Sequence, residues 1–376
     1  MAEYKNPLDD WLKELPKGSE LSRRAWLEIK YIPAGETEGK DISEDVSKYL
    51  ISMDYTDNLS DAADDVTLTL EDRAQLWMED WFPEGEGNML DITIHTYNRI
   101  TLKDGEAIFH AGKFEIDEVE TVGFPSTVQI KGVSVVGASS LRGTRRNQTW
   151  EEISVWKCAA DICERNNLSL VWDCAENPNL DHVEQADKSD LAFLLEICKN
   201  NGMSLKIMVE QIVIFDDAKY EAQEPIITVY KPGVKAELDD KTMPLRWLTS
   251  YNMRAKTRDT YGSCQVKYQK GKKKEVIEGA YTIPGKEKGR VLFVREQVEN
   301  TAEAERLAKK KLREANKEEV TGSFSTIGNT NFAAGTTLLL KNFGKFDGKY
   351  LVTKVSHSIT TSYTTSVDIR RCLDGY

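Results

Sequence analysis

The chain has 376 residues, with 50 Lys and Arg against 62 Asp and Glu, so its formal net charge is −12. This length predicts about two or three domains, and a hydrophobic content of 40% is typical of a folded protein rather than a disordered one. An acidic chain lacks the overall positive charge by which proteins bind nucleic acid, so we expect no specific nucleic-acid partner. A run of about 18 apolar residues is absent, as is an apolar N-terminal segment. We therefore predict no membrane-spanning helix and no signal peptide.

The chain is predicted to begin with a short extension and then a β domain. Residues 1–22 are polar and weakly patterned, so we assign them to an N-terminal extension. Over residues 23–139, apolar and polar residues alternate with the period of two that half-buried strands require. Val66, Leu68 and Leu70, for example, alternate with threonines. Short strands at this regular spacing predict a sandwich or barrel.

Residues 140–228 are predicted to form a small α/β domain. Thr149 to Glu152 fit a capping box, which predicts the start of a helix at that point. A strand is expected over 168–173, and a second helix should start near Asp187 or Ser189 and end at Asn201-Gly202. A tight hairpin is expected over 203–215.

Residues 229–376 return to β alternation, with one helix at about 301–316 that follows a capping Asn300. Part of this region repeats the first β domain. The segments Gly112–Val119 and Gly348–Val355 share a glycine, a lysine, an aromatic, a branched aliphatic and a valine at the same offsets. Alternation alone does not repeat the Gly-Lys-aromatic start. We therefore predict a mainly β protein in which one β domain is duplicated and the two copies flank the α/β insert.

The sequence predicts no catalytic, cofactor-binding or metal-binding residue. None of the four histidines has a second His, Cys or acid at zinc-ligand spacing, and we find no P-loop, G-x-G-x-x-G or G-x-S-x-G motif. The six cysteines form no C-x-x-C pair, so we expect reduced, buried thiols. The histidines are His95, His110, His182 and His357.

Two segments are candidates for contacts with partner proteins. The first is an aromatic cluster that breaks strand alternation and is either a satellite core or an interface anchor; it contains Trp77, Trp81 and Phe82. The second is a basic run in an acidic chain, which either forms a solvated hairpin tip or contacts an acidic neighbouring subunit. Its lysines are Lys270, Lys272, Lys273 and Lys274.

Three segments resemble the late control D family of phage tail proteins. Residues 68–73 and the strand at 90–94 resemble part of its first domain. Residues 183–194 resemble its Q-x-D-x-S-D-x-x-F-L signature, here with Asp187, Ser189, Asp190, Phe193 and Leu194. Residues 335–357 resemble its closing hairpin motif, here with Phe346, Asp347, Gly348 and Tyr350. The three segments keep the family's order and spacing over about residues 45–376.

The resemblance implies a structural, non-enzymatic baseplate hub, related to the hub part of VgrG spike proteins. The family's hub is a homotrimer in which each chain carries two similar tube-like β-barrels and an α/β insert, in agreement with the duplication predicted above. Three chains with two barrels each present six similar units to a six-fold tail tube, and they stay three-fold toward the spike. The expected partners are the tail tube protein, a spike protein, baseplate wedge proteins and, as a further candidate, the tape-measure protein. No needle module follows residue 376, so the spike is expected to be a separate chain.

The same resemblance implies that the protein is made in the bacterial cytoplasm and ends in the baseplate of a virion or tail-like particle. A contractile phage tail, a tail-like bacteriocin and another injection system fit the residues equally. Two other functions stay open at this point. A tail-associated peptidoglycan hydrolase would need an active site in the insert, where no nucleophile–base pair is evident. A tail-tip protein of a non-contractile phage would share the barrels, but such proteins usually continue into long receptor-binding regions.

Overall fold

The computed structural model describes residues 23–60, 62–77, 86–99, 105–134, 139–208, 211–234, 242–270, 275–298 and 300–376. Strands account for most of the regular structure of these residues, so the prediction of a mainly β protein is confirmed. The predicted extension at 1–22 lies outside the described residues.

Strands dominate the first part of the chain. Along the fourth strand every second side chain is buried, which is the period-two pattern that the sequence predicts. The elements are β1 (Arg24–Ile32), β2 (Lys40–Asp41), α1 (Ser43–Tyr49), β3 (Leu50–Asn58), β4 (Asp65–Glu71), β5 (Met89–Tyr97), β6 (Glu106–Val122) and β7 (Thr127–Val133).

The middle of the chain is an α/β unit that follows a π-helical turn at Ser139–Gly143. Its elements are β8 (Arg145–Ser154), α2 (Val155–Arg165), β9 (Ser169–Asp173), β10 (Asn179–Ser189), α3 (Asp190–Asn200), β11 (Ser204–Met208), β12 (Gln211–Phe215) and α4 (Asp217–Ala222). β8 and β10 form an antiparallel pair, and β11, β12 and β9 form a three-stranded sheet in which β12 and β9 run parallel. The helices α2 and α3 share one apolar core with this sheet.

The two helix starts in this unit have different outcomes. The capping box at Thr149 was wrong, because Thr149 to Glu152 lie inside β8 and α2 begins only at Val155. There Ser154 Oγ accepts a hydrogen bond of 3.3 Å from the Lys157 amide. The start near Ser189 is confirmed, since Ser189 caps α3 by accepting a bond from the Ala192 amide.

The last part of the chain contains β13 (Ile227–Tyr230), β14 (Met243–Leu245), β15 (Leu248–Ala255), β16 (Tyr261–Lys270), β17 (Glu275–Thr282), β18 (Arg290–Val294), α5 (Thr301–Asn316), β19 (Val320–Ile327), β20 (Thr337–Lys341), β21 (Gly348–Ile359) and β22 (Tyr363–Arg371). The predicted helix is confirmed as α5, where Asn300 Oδ1 accepts a bond of 2.9 Å from the Glu303 amide. α5 packs on the separate sheet β17-β16-β18.

One large sheet joins the strands from both ends of the chain. Its main path is β14-β13-β20-β21-β3-β4-β7-β6-β5-β1-β2, and β22, β19 and β15 continue from β21. The two β regions meet where β21 pairs antiparallel with β3. Among the described residues, hydrogen bonds do not close either region into a barrel on its own.

The two regions of this sheet repeat one strand order. The path β3-β4-β7-β6-β5 corresponds to β15-β19-β22-β21-β20, and both follow the same order along the chain. The register repeats as well, because Leu90 lies opposite Phe114 and Leu338 opposite Tyr350. Irregular pairing also recurs at matching points, at Ile116–Glu118 and Val352–Lys354 and again at Leu50–Ser52 and Leu248–Ser250. The strand pairing thus agrees with the duplication predicted from the two Gly-Lys-aromatic segments.

Candidate functional site

The signature at 183–194 builds a buried polar cluster inside the α/β unit. Asp190 is fully buried at the start of α3, and both its carboxylate oxygens accept bonds from Arg165, at 2.9 and 2.5 Å. Gln185 and Asn166 donate to the same carboxylate at 2.8 and 2.9 Å. A buried carboxylate is tolerated only when it is paired and hydrogen-bonded in this way. This cluster therefore fixes the end of α2 against the start of α3.

The other signature residues form the bulge in β10, the cap of α3 and part of the core beside this cluster. Asp187 has a left-handed backbone (φ +49°), and the β8–β10 register shifts between Gln185 and Lys188. That bulge returns the chain to the position at which Ser189 caps α3. Phe193 is buried and stacks on Trp150 with ring centroids 5.2 Å apart, while Leu194 is buried in the same core. These residues thus lie in the core of the α/β unit or in the bulge and cap that lead into α3.

The closing motif shapes the turn that starts β21. The Asp347 carboxylate accepts bonds from the amides of Phe343 and Asn342, at 2.6 and 3.2 Å. Gly348 follows with φ +139°, a backbone region that favours glycine. The buried Tyr350 then donates its hydroxyl to the Phe346 carbonyl at 2.8 Å. The motif therefore sets the start of the strand that joins the two β regions.

The junction of the two β regions is centred on His357 of β21. Its ring is fully buried, lies opposite Tyr55 of β3 and stacks on that ring at 5.9 Å. His357 Nδ1 shares hydrogen bonds with the hydroxyls of Tyr363 (2.7 Å) and Thr365 (3.2 Å). Burial lowers the pKa of His357 to about 4. Arg99 from the first region donates to the carbonyl of Tyr363, so the junction is also bonded around its rim.

Buried ion pairs attach the α/β unit to the first β region. Lys206 of β11 contacts Asp57 at 2.5 Å and Asp64 at 3.3 Å, and it donates to the Asn58 carbonyl at 2.8 Å. Burial raises the pKa of Asp64 to about 6, although the Lys206 ammonium acts against this rise. Burial alone would lower the pKa of Lys206, but the two carboxylates raise it above its usual value.

A second ion cluster attaches the α/β unit to the last β region. Asp217 of α4 contacts Arg370 and Lys317, each at 2.9 Å. Glu221, one turn later, contacts Arg370 at 2.5 Å and Arg313 at 2.8 Å. Burial favours the neutral form of Asp217, but the cations hold its pKa below the usual value. Together the two clusters connect the unit to both β regions.

The predicted partner-contacting segments are only partly described. Trp77 is 3% exposed and packs edge-on against Tyr49 in the core of the first β region, so it offers no surface to a partner. Of the two alternatives for this cluster, the burial of Trp77 favours the satellite core over the interface anchor. Lys270 lies opposite Glu275 at the end of the β16–β17 hairpin, as the hairpin interpretation requires. Trp81, Phe82, Lys272, Lys273 and Lys274 lie outside the described residues.

Sequence patterns missed three strongly exposed aromatic side chains among the described residues. Phe124 is 99% exposed, Trp247 73% and Phe293 71%. Exposed aromatics of this size are typical of protein contact surfaces. Alternation could not reveal them, because it marks which side chains share a face and not whether that face is covered.

The described residues contain no cluster of three or more His, Cys, Asp or Glu side chains that could hold a metal ion. All six cysteines are free, and burial raises the pKa of each thiol above its usual value. Within the same part of the chain, no helix is long and apolar enough to cross a membrane.

The fold is that of phage tail proteins. A tail protein from Neisseria meningitidis MC58 aligns with a TM-score of 0.64 at 12% identity, over 93% of this chain and 97% of that one. The 43 kDa tail protein of prophage MuSo2 from Shewanella oneidensis aligns with a TM-score of 0.62 at 12% identity, over 92% and 98%. A chain of the Francisella PdpA–VgrG complex aligns with a TM-score of 0.55 at 11% identity, over 97% of this chain and 55% of that one.

The family model for the phage tail baseplate hub (GPD) matches residues 123–363. This chain therefore belongs to the phage tail baseplate hub family. Probable baseplate hub proteins of Escherichia phage 186 and Escherichia phage P2 are 26% and 28% identical to it over 181 residues each. The aligned part is less than half of each chain, 46% of this one and 42% of the phage 186 protein. This match confirms the resemblance to the phage hub family that the three sequence segments indicate.

Proposed function

We propose that the protein is a homotrimeric hub that adapts a six-fold tail tube to a three-fold spike. The observation that carries the proposal is the repeated strand order, because three copies of a chain with two similar β units present six similar units. Residues 23–139 and 229–376 are the two tube-like units, residues 140–228 the insert and residues 1–22 an N-terminal extension. The partners in this role are the tube protein, a separate spike protein, wedge proteins and the tape-measure protein.

The two ion clusters support this role. They hold the insert against both β regions through buried carboxylates, so the two units and the insert keep one relative arrangement. An adaptor needs this rigidity, because both β units must present the same geometry to one ring. The particle is a contractile phage tail or a related tail-like bacteriocin or injection system.

The proposal is tested by the mass of the purified full chain, measured by light scattering over a range of concentrations, and by the copy number in purified particles. We expect three copies in solution and three per particle. A chain that stays monomeric at every concentration and is absent from purified particles would overturn the proposal.

A further inference from the structure

A groove lies where the described chain begins, at the rim of the junction between the two β regions. Its volume is about 510 Å³, within the range of about 300–1,000 Å³ that is usual for ligand sites. One wall is residues 23–26, which include the start of β1. The other wall is residues 359–363, at the turn between β21 and β22, together with Arg99. The groove therefore has room for several side chains of an occupant.

The groove is positively charged. Arg23 and Arg24 belong to one wall and Arg99 to the other, and none of the described residues that line the groove is acidic. Burial lowers the pKa of Arg99, and the charge of Arg23 lowers it further. Arg99 is held in place, because its guanidinium donates to the carbonyls of Gly328 at 3.3 Å and Tyr363 at 2.5 Å. The groove therefore favours an occupant that carries carboxylates.

The groove also offers an apolar surface. Trp26 is 40% exposed, and its ring is stacked on His95 with the ring centroids 5.1 Å apart. Ile359 and Tyr363, both buried, line the same groove from the other wall. Exposed tryptophan and arginine side chains in one pocket are typical of surfaces that bind protein segments. The occupant should thus carry apolar side chains as well as carboxylates.

Residues 1–22 have the composition that the groove favours, with five acidic residues against three lysines. Four of their apolar side chains recur at i, i+3, i+4 and i+7, the stripe of an amphipathic helix; they are Leu8, Trp11, Leu12 and Leu15. Pro7 precedes this stripe and Pro16 follows it, as at the two ends of a helix. On such a helix Asp9 and Glu14 border the stripe. The sequence thus predicts an apolar face with carboxylates at its edges.

The segment is attached to the chain at the groove itself, because Ser22 directly precedes Arg23. Residues 16–22 connect the apolar stripe to the groove, and they span at most roughly 25 Å when fully extended. Pro16 and Gly18 in this connection are residues that form turns, so the chain can reverse there. A short connection gives an effective concentration of roughly millimolar order. The segment of the same copy is therefore favoured over a separate partner.

We propose that residues 1–22 dock into the groove of their own copy. Trp11 and Leu12 then pack against Trp26, and the carboxylates lie beside Arg23 and Arg99. The inference goes beyond the hub role and does not depend on it, because segment and groove belong to one copy. The docked segment connects the start of β1 to the turn between β21 and β22, and it closes the groove to acidic segments of other proteins.

Photo-cross-linking of the full chain tests this contact. With p-benzoylphenylalanine in place of Trp11, we expect cross-links to residues 23–26 or 359–363, located by mass spectrometry. Arg23→Glu should lower the cross-linking yield about fivefold, because it replaces an attraction with a repulsion. The matched control is Arg258→Glu, which reverses an exposed arginine between β15 and β16 and should leave the yield unchanged.

Hydrogen exchange provides a second measurement. Trp11→Ser with Leu12→Ser keeps the length of the chain and removes the centre of the apolar stripe. The amides of the turn at 360–362 should then exchange at least about tenfold faster, because the segment no longer covers them. The matched control is Tyr4→Ser, which lies outside the stripe and should leave this exchange unchanged.

Cross-links within one chain that decrease in Arg23→Glu support the proposal. Mixing isotope-labelled with unlabelled chains identifies cross-links between copies, and cross-links found only between copies overturn the docking within one copy. A segment that cross-links elsewhere, with exchange at 360–362 unchanged in the double serine variant, overturns the docking altogether. These failures do not alter the number of copies that associate, so they are distinguishable from a failure of the proposed function.

Discussion

The buried carboxylate of Asp190 gives the strongest prediction about stability. Asp190→Asn replaces an acceptor-only carboxylate with an amide whose NH₂ group faces the donors of Arg165 and Asn166. Arg165 has a side chain only 22% exposed, so it loses its charge partner in a place where water replaces that partner poorly. Breaking a buried pair in this way costs ~3–5 kcal/mol.

Hydrogen exchange of peptides from α2 and α3 measures this cost locally, because these helices meet at the cluster. A loss of ~3–5 kcal/mol corresponds to exchange that is roughly a hundredfold to several-thousandfold faster. The matched control is Asp187→Asn, three residues earlier, whose side chain is 73% exposed and pairs with Arg145. That pair contributes at most about 1 kcal/mol. If the two variants exchange at the same rate in α2 and α3, the cluster does not hold these helices together.

Three further predictions concern the junction of the two β regions, the attachment of the α/β unit and the packing of α5 on β17. His357 has a pKa of about 4 in the folded chain, below its usual 6.5, so its stabilising contribution is complete above pH 6.5 and is lost as the pH falls toward 4. Urea titrations should show that His357→Gln removes about 3 kcal/mol of the pH dependence of the unfolding free energy. An unchanged pH profile would contradict the buried neutral ring. Lys206→Met leaves Asp57 and Asp64 buried without their cation, so it should lower the unfolding free energy by ~3–5 kcal/mol at pH 7. The loss should be smaller at pH 5, where Asp64 is protonated. An equal loss at both pH values would refute this explanation. Gly279→Ala places a methyl group 2.5 Å from the Glu305 amide nitrogen of α5, so we expect α5 to be displaced from β17. Near-ultraviolet circular dichroism should show the displacement, and thermal melts should show a lower Tm. A wild-type melt would mean that the helix has room to shift.

Local signals predicted the helices well where the cap itself is local. Ser189 and Asn300 each bond an amide three residues later, and both helix starts lie where the sequence places them. The capping box at Thr149 failed because its residues also fit a strand, and β8 gains its partner β10 from a distant part of the chain. β10 itself is missing from the sequence prediction, since most of its side chains are polar and exposed and alternation is weak.

The arrangement of the two β regions could be predicted only in part. The two Gly-Lys-aromatic segments predicted the duplication, because each has a glycine with a positive φ followed by the same residue types, although Gly112 lies inside β6 and Gly348 begins β21. The pairing of β21 with β3 could not be read from either strand, because alternation identifies a buried face but not the strand that lies beside it. The family resemblance implied two tube-like β-barrels, whereas the described strands of both β regions share one sheet.

The buried ion pairs of the site could not be predicted from the sequence. Asp190 stands out there as a motif residue, but its partner Arg165 lies 25 residues earlier with no pattern connecting them. Lys206 and Asp57 are 149 residues apart, and Arg370 and Asp217 are 153 apart. Such pairs become apparent only when the fold brings the strands together.

The most direct test of the central claim is a reconstruction of the assembled particle by electron cryomicroscopy. We expect three copies of this chain at the end of the tail tube, arranged as a ring of six similar β units. A ring with another number of copies, or a ring that does not contain this chain, would contradict the account.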